Sequence, residues 1–465
     1  MQRLIAKYGL AAHLALLAVA PLVLYPFCDE GSVATVLLWL SLLTSLWMIL
    51  EPSMRRGEGL LDSRRRVAGE MMSDPLFWIL LVLVVFSGFR ALNTGIALNY
   101  DAETAVWYVS EQSFPLLPGA VASSGFLPFA VTVALLVLLQ ACRHSLGRSA
   151  RHLFLLVSSA LAGLAAIIDL VALRFGHFGG AAALLPPEDG FGYSFIGFAF
   201  GLYLIGGMIA LVAVFEHNWN MALGFAALAI GGSVVGVIAF APFHLSAVLL
   251  AAAFLILSYV LVYSRKTLQS SGLFRIVLVA LFSLVLGGLF VMVVLPVNAF
   301  AARLSSLPAF SFFSEGFLKV RETLSVIAFK SWISHLWLGT GLSSFPLDFR
   351  IHAQAADWEL LPQGAALLAN CWWLLLAERG VIGLMLFVLP FGSLLYTYVR
   401  RLIGGITILE LPHPACIVAP VVLTLFVAAG FFDCSPARAE VLLATGSLVA
   451  ISAVSFPRVR RRKDV

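Results

Sequence analysis

The residues best equipped for chemistry gather late in the chain, between Asn298 and Arg379. Lys319, Arg321, Lys330, Arg350 and Arg379 supply cations there, and His335, His352, Asp348, Glu359 and Glu378 supply groups able to take or give a proton. Arginine suits phosphate and other oxyanions, because its fork bonds two oxygens at once and keeps its proton at every physiological pH. Histidine is the side chain whose charge changes nearest neutrality, although a lone loop histidine is more often simply solvated. Gly339 and Gly341 flank Thr340 in a pattern that demands a tight turn. The five cysteines have no metal-ligand spacing, and an odd number gives no closed disulfide framework.

These side chains need a scaffold, and the composition says which kind. Hydrophobic residues make up 61% of the chain and charged residues 11%, with a mean hydropathy of +1.00. Soluble domains carry about 25% charged side chains, so a water-facing surface cannot be built from this inventory. The long apolar runs lack barrel alternation, and in lipid the remaining way to satisfy every backbone group is the helix. The expected fold is therefore all-α: a polytopic integral membrane helix bundle of about 12 transmembrane helices.

Spans are expected near 8–27, 31–50, 76–95, 125–142, 152–173, 193–215, 220–240, 244–262, 273–297, 380–399, 414–432 and 440–456. Nine spans thus fill 1–297, one large extracytoplasmic loop occupies 298–379 between spans 9 and 10, and 380–465 holds the last three spans and a basic tail. Twenty of the 29 basic residues, among them Arg64, Arg65, Arg66, Arg400 and Arg460, fall on one side. That side is cytoplasmic by the positive-inside rule, and both termini lie there. The basic runs read as topology signals, not as a nucleic-acid surface. A cleavable leader is the rival reading of residues 1–27, but the apolar stretch runs on past Ala18-Val19-Ala20 to Phe27.

Within the large loop, 314–329 reads as a helix with Lys319, Arg321 and Glu322 near its start. A second helix is expected over 365–377, too short to span and ended by Gly380 after Glu378 and Arg379. Asn370 either holds a sugar hydroxyl or caps backbone, and Glu378 bonds loop backbone or a basic partner. A smaller outer loop, 90–124, is placed to cover the large one. Asp169 inside a span is costly unless paired, and pairing with Arg174 or contact with water is its expected account. Arg90, Arg438 and Glu440 fall at outer helix ends.

Arg321, the segment Lys330 to Phe345 with its Gly-x-Gly-x-x-x-Phe turn, and Asn370 with Glu378, Arg379 and Gly380 together resemble the O-antigen ligase and Wzy polymerase superfamily. The likeness covers 317–396, about a sixth of the chain. It implies transfer of a glycan from an undecaprenyl diphosphate carrier to a glycan or lipid A core acceptor at the outer face of the bacterial inner membrane, with no cofactor or metal. By the same resemblance Arg321 is the functional arginine that binds the diphosphate and stabilises the leaving group. Lys319, Lys330, Arg350 and Arg379 are its helpers, with Asn370 and Glu378 on the substrate side. The sequence departs from the family at Ala369, where a histidine is expected; His352 is the first substitute for that role. A lipid-linked sugar transporter or flippase, or a non-catalytic member of a polysaccharide assembly complex, is the alternative.

Overall fold

The computed structural model describes residues 2–56, 60–93, 96–101, 106–111, 119–120, 125–174, 194–216, 222–240, 315–352, 370–406, 418–432 and 435–454. Helices dominate: α1 (Gln2–Leu24), α2 (Glu30–Arg56), α3 (Leu60–Met72), α4 (Pro75–Leu92), α5 (Phe126–Gln140), α6 (Arg148–Arg174), α7 (Ser194–Glu216) and α8 (Leu223–Phe240). They are followed by α9 (Glu315–Ser334), α10 (Phe345–His352), α11 (Cys371–Ile406), α12 (Val418–Phe432) and α13 (Ala439–Val454).

Among the described residues five segments are long and apolar enough to cross a membrane: Glu30–Leu50, Pro75–Leu92, Phe126–Ser145, Ala150–Ala172 and Cys371–Arg400. Shorter apolar helices stand at Tyr8–Leu24, Ile196–Leu211, Leu223–Ile238, Val418–Phe431 and Ala439–Ala453. Each overlaps an expected span, although Cys371–Arg400 begins well before the expected 380–399 and takes in residues expected in the loop helix 365–377; the expected spans 244–262 and 273–297 lie outside the described residues. The architecture is thus a helical bundle of membrane-spanning character.

Its centre is built where α6 packs against α1, α7 and α8. A β-carbon on Gly163 would overlap the Leu228 carbonyl, and one on Gly232 would overlap Gly163 itself. The small residues let two backbones touch, and in lipid close packing and interhelical bonds, not water exclusion, join helices. Tyr203 adds a hydrogen bond of 2.8 Å to the Ala18 carbonyl, tying α7 to α1.

Two elements depart from the sequence reading. The stretch between the second and third spans holds the helix α3, in which Arg64 and Arg65 are exposed. The smaller of the two loops holds an antiparallel pair of strands, β1 (Ile96–Asp101) and β2 (Val106–Glu111), registered Asn99 to Tyr108. Both were hidden by the same cause: short polar elements flanked by strong apolar runs carry little periodic signal.

At the start of α4 Asp74 caps the helix, accepting from Leu76 N at 3.1 Å. The same carboxylate meets His144 at 2.9 Å and Arg143 Nε at 3.3 Å, both on the π-turn Ala141–Ser145 after α5. Burial works to raise its pKa, but the His144 hydrogen bond and the Arg143 charge outweigh burial and hold it below the usual range. Folding therefore favours the carboxylate: its contribution is full above the ordinary carboxylate range and is lost as pH falls through the lowered value. Asp74→Ala is expected to cost about 2 to 3 kcal/mol, from a cap and a charge-assisted hydrogen bond. Detergent-phase thermal unfolding at neutral and acid pH checks this; the wild-type advantage should shrink as the pH drops below 4.

Candidate functional site

The described part of the chemistry-bearing segment folds as a small cap against α11. Helix α9 buries Leu324, Ile327 and Ala328 against Phe345 and Ala377, with Trp373 and Phe349 packed around them. The helix runs on to Ser334, one turn beyond its expected end, because Ile327, Ala328 and Ser331 continue its buried face.

After α9 the chain turns through Gly339 (φ 70°) and Gly341 (φ 134°), with Ser343 at φ 59°. This turn is bonded backbone to backbone with the end of the first part of α11. Thr340 N donates to the Ala377 carbonyl at 2.8 Å and Gly341 N to the Glu378 carbonyl at 3.1 Å. In return Val381 N donates to Leu336 O and Ile382 N to Trp337 O, each at 3.1 Å. Between these bonds sits Gly380 at φ 65°, ψ −173°, a conformation essentially reserved for glycine, and it kinks α11. The expected helix end at Gly380 is therefore present, and the helix resumes at once. At its other end the described helix starts at Cys371; 365–369, including Ala369, lie outside the described residues.

Arg90 reaches this junction from α4. It is fully buried, its guanidinium lies 5.3 Å from the centre of the Phe86 ring, and Nη2 donates to the Glu378 carbonyl at 2.7 Å. Arg379 is 8% exposed and stacks its guanidinium over Phe387 at 5.8 Å. Among the described residues its Nε has no hydrogen-bond partner. The Glu378 carboxylate turns to the other side, where Oε1 accepts from Phe345 N at 3.4 Å. Two arginines and one glutamate thus flank a glycine turn where the cap meets α4 and α11.

A second acid lies beneath the turn. Asp348 is buried, and its Oδ2 is 2.6 Å from Thr340 Oγ1 and 3.4 Å from Ser344 Oγ. Thr340 Oγ1 also lies 2.7 Å from Ser344 Oγ and 3.1 Å from the Ala377 carbonyl, while Ser344 Oγ donates to Gly341 O at 2.8 Å. Burial raises the Asp348 pKa, against the opposing pull of the Thr340, Ser331 and Ser344 hydroxyls and of His352, half-buried on the last turn of α10. With a folded pKa above the unfolded one, the cap is steadier at low pH and loses that stability as pH rises through the folded value. Asp348→Asn should flatten this slope of thermal stability against pH, whereas Asp348→Ala should cost about 1 to 3 kcal/mol by stranding buried hydroxyls.

The remaining expected site residues divide clearly. Asn370 is a helix cap, its Oδ1 accepting from Trp372 N at 3.0 Å, so of its two readings the backbone one is realised. Lys330 is exposed on α9. Lys319 and Arg321 lie on the first turns of α9 and Arg350 on α10, with their side chains outside the described residues. His335 is exposed, its Nδ1 3.0 Å from Ser334 Oγ. Trp373 clusters with Phe329 and Trp332, and Trp372 packs on Phe426 and Phe431.

The smaller outer loop does reach over this region. Ala120 and Leu342 form a parallel bridge, with Leu342 N donating to Gly119 O at 2.9 Å and Ala120 N to Asn93 O at 2.8 Å. The strap links the C-cap of α4 to the glycine turn. Arg90 gave a faint sequence signal as a charge at a helix end; its meeting with Glu378, 288 residues away, had none. Elsewhere Asp169 is fully buried in α6, and neither carboxylate oxygen has a hydrogen-bond partner among the described residues; its expected partner Arg174 has its side chain outside them.

No family model matches this sequence, and no curated protein matches it, so the reading of the site rests on the residues themselves.

Proposed function

We propose that this protein is a multi-pass glycosyltransferase of the O-antigen ligase or polymerase type, with twelve spans in the bacterial inner membrane and both termini in the cytoplasm. It transfers a glycan from undecaprenyl diphosphate to an acceptor hydroxyl in surface polysaccharide assembly. One observation carries the reading: the segments holding the family-like residues, 339–345 and 378–380, are far apart in sequence yet hydrogen-bonded together around buried Arg379. In this reaction the acceptor oxygen bonds the anomeric carbon, the bond from that carbon to the diphosphate oxygen breaks, and the diphosphate leaves with added negative charge. Arg321 and Arg379 hold that charge, and cations placed before the reaction need no reorganisation during it. His352, beside Asp348, takes the acceptor proton.

The alternative, a lipid-linked sugar transporter or a non-catalytic member of an assembly complex, draws on Asp169. Such carriers use buried carboxyls in spanning helices, and this one has no hydrogen-bond partner among the described residues. Purified protein in vesicles, given carrier-linked glycan and acceptor, tests the two. Glycan transfer that falls at least 100-fold in both Arg321→Ala and Arg379→Ala supports the enzyme. Flipping of the carrier lipid without transfer, abolished by Asp169→Asn, overturns it.

A further inference from the structure

The cap helix α9 is amphipathic, yet its outward face is not a polar one. Opposite the buried Leu324, Ile327 and Ala328, the face carries Val326 (46% exposed), Phe329 (41%), Ile333 (54%) and, just past the helix, Trp337 (64%). Exposed Lys330 lies within this stripe, and exposed Glu322 stands at its N-terminal end, one turn before Val326. A soluble cap facing water would not display such a run, and contiguous exposed apolar surface marks a contact with something apolar.

What covers it follows from where it leads. Trp337 and Leu336 receive the backbone hydrogen bonds of Ile382 and Val381, the first residues of the spanning part of α11. From that joint the apolar stripe continues through Ile382 (40% exposed) to Met385 (62%), on a helix of membrane-spanning length and hydropathy. The face of α9 is therefore an extension of the surface that the spans present to acyl chains. Tryptophan at the joint and a lysine able to extend its ammonium from an apolar face are the side chains that settle at a bilayer interface.

We infer that α9 is seated in the outer leaflet, its Val326–Phe329–Ile333–Trp337 face in contact with the phospholipids around the bundle and Lys330 at the depth of their phosphates. The cap is then anchored in the interface, and the glycine turn opens at headgroup level. The inference stands on the apolar face alone and holds whether or not the site transfers a glycan.

Nitroxide labelling tests it in the full-length protein, reconstituted in vesicles of phosphatidylethanolamine and phosphatidylglycerol, with Cys28, Cys416 and Cys434 replaced by serine. Ile333→Cys, Phe329→Cys, the span control Met385→Cys and the aqueous control Glu70→Cys are compared by oxygen against nickel-complex accessibility. The oxygen-to-nickel ratio at 333 and 329 should match that at 385 and exceed that at 70 by at least fivefold. A ratio at 333 and 329 equal to that at 70 overturns the seating. So does shielding from both reagents together with dipolar coupling between labels on two molecules, which assigns the face to a second copy. If Ile333→Cys unfolds the cap, the Phe329→Cys label decides alone.

Discussion

Gly380→Ala is expected to detach the cap from the bundle. At φ 65°, ψ −173° a β-carbon is strained by itself, about 1 to 3 kcal/mol. There it would also overlap the Trp337 carbonyl and crowd Leu338 N at 2.5 Å, both backbone atoms that cannot rotate away. The bonds from Val381 and Ile382 to Leu336 and Trp337 would have to lengthen, and these join the cap to α11. Together the expected cost is about 3 to 5 kcal/mol. Gly339→Ala, at φ 70°, meets the backbone of Glu378 and Arg379 from the other side and should cost a similar amount. Since both break one contact, the double variant should lose clearly less than the sum. Thermal unfolding in detergent measures the losses, and protease cutting within 315–352 reports whether the cap has come free. Intact, protected caps in both single variants would refute the account.

The second large effect is expected at Arg379. It is buried, and Glu378, whose carboxylate turns toward Phe345 N, is the opposite charge acting on it. Removing the guanidinium withdraws that compensation from a buried carboxyl group, at about 1 to 3 kcal/mol. Arg379→Met keeps most of the volume and the contact with Phe387, so its loss measures charge and not packing. Adding Glu378→Gln should recover part of that loss, because the amide needs no counter-charge and can still accept from Phe345 N. Activity should not recover with it, since the transferase reading needs the guanidinium itself. A double variant with restored stability and full glycan transfer would remove Arg379 from the site. The same cycle run with Arg90→Met should show coupling to Gly380, because Arg90 holds the Glu378 carbonyl next to the kink.

Much of this was written in the sequence. Apolar runs of bilayer length fix where helices form, because no other structure within lipid satisfies the backbone, and observed spans such as Pro75–Leu92 and Ala150–Ala172 fall where hydropathy puts them. The glycines at 339, 341 and 380 likewise announced their turns, since each needs a conformation that side chains resist. Local signals also gave both readings of Asn370, of which the cap was realised.

The junction itself was not legible. That the turn at 339–341 bonds the residues 377–378, that Arg90 from α4 anchors them, and that Asp348 shares hydrogens with Thr340 all depend on contacts between distant segments. Composition and spacing fix the kind of element and its ends; they carry no term for which polar groups meet when elements pack. The sequence by itself determined a helical membrane chain with a cap rich in cations. Only the tertiary structure decided that a glycine contact closes the cap over buried arginines, because burial and hydrogen-bond geometry exist only once the helices are side by side.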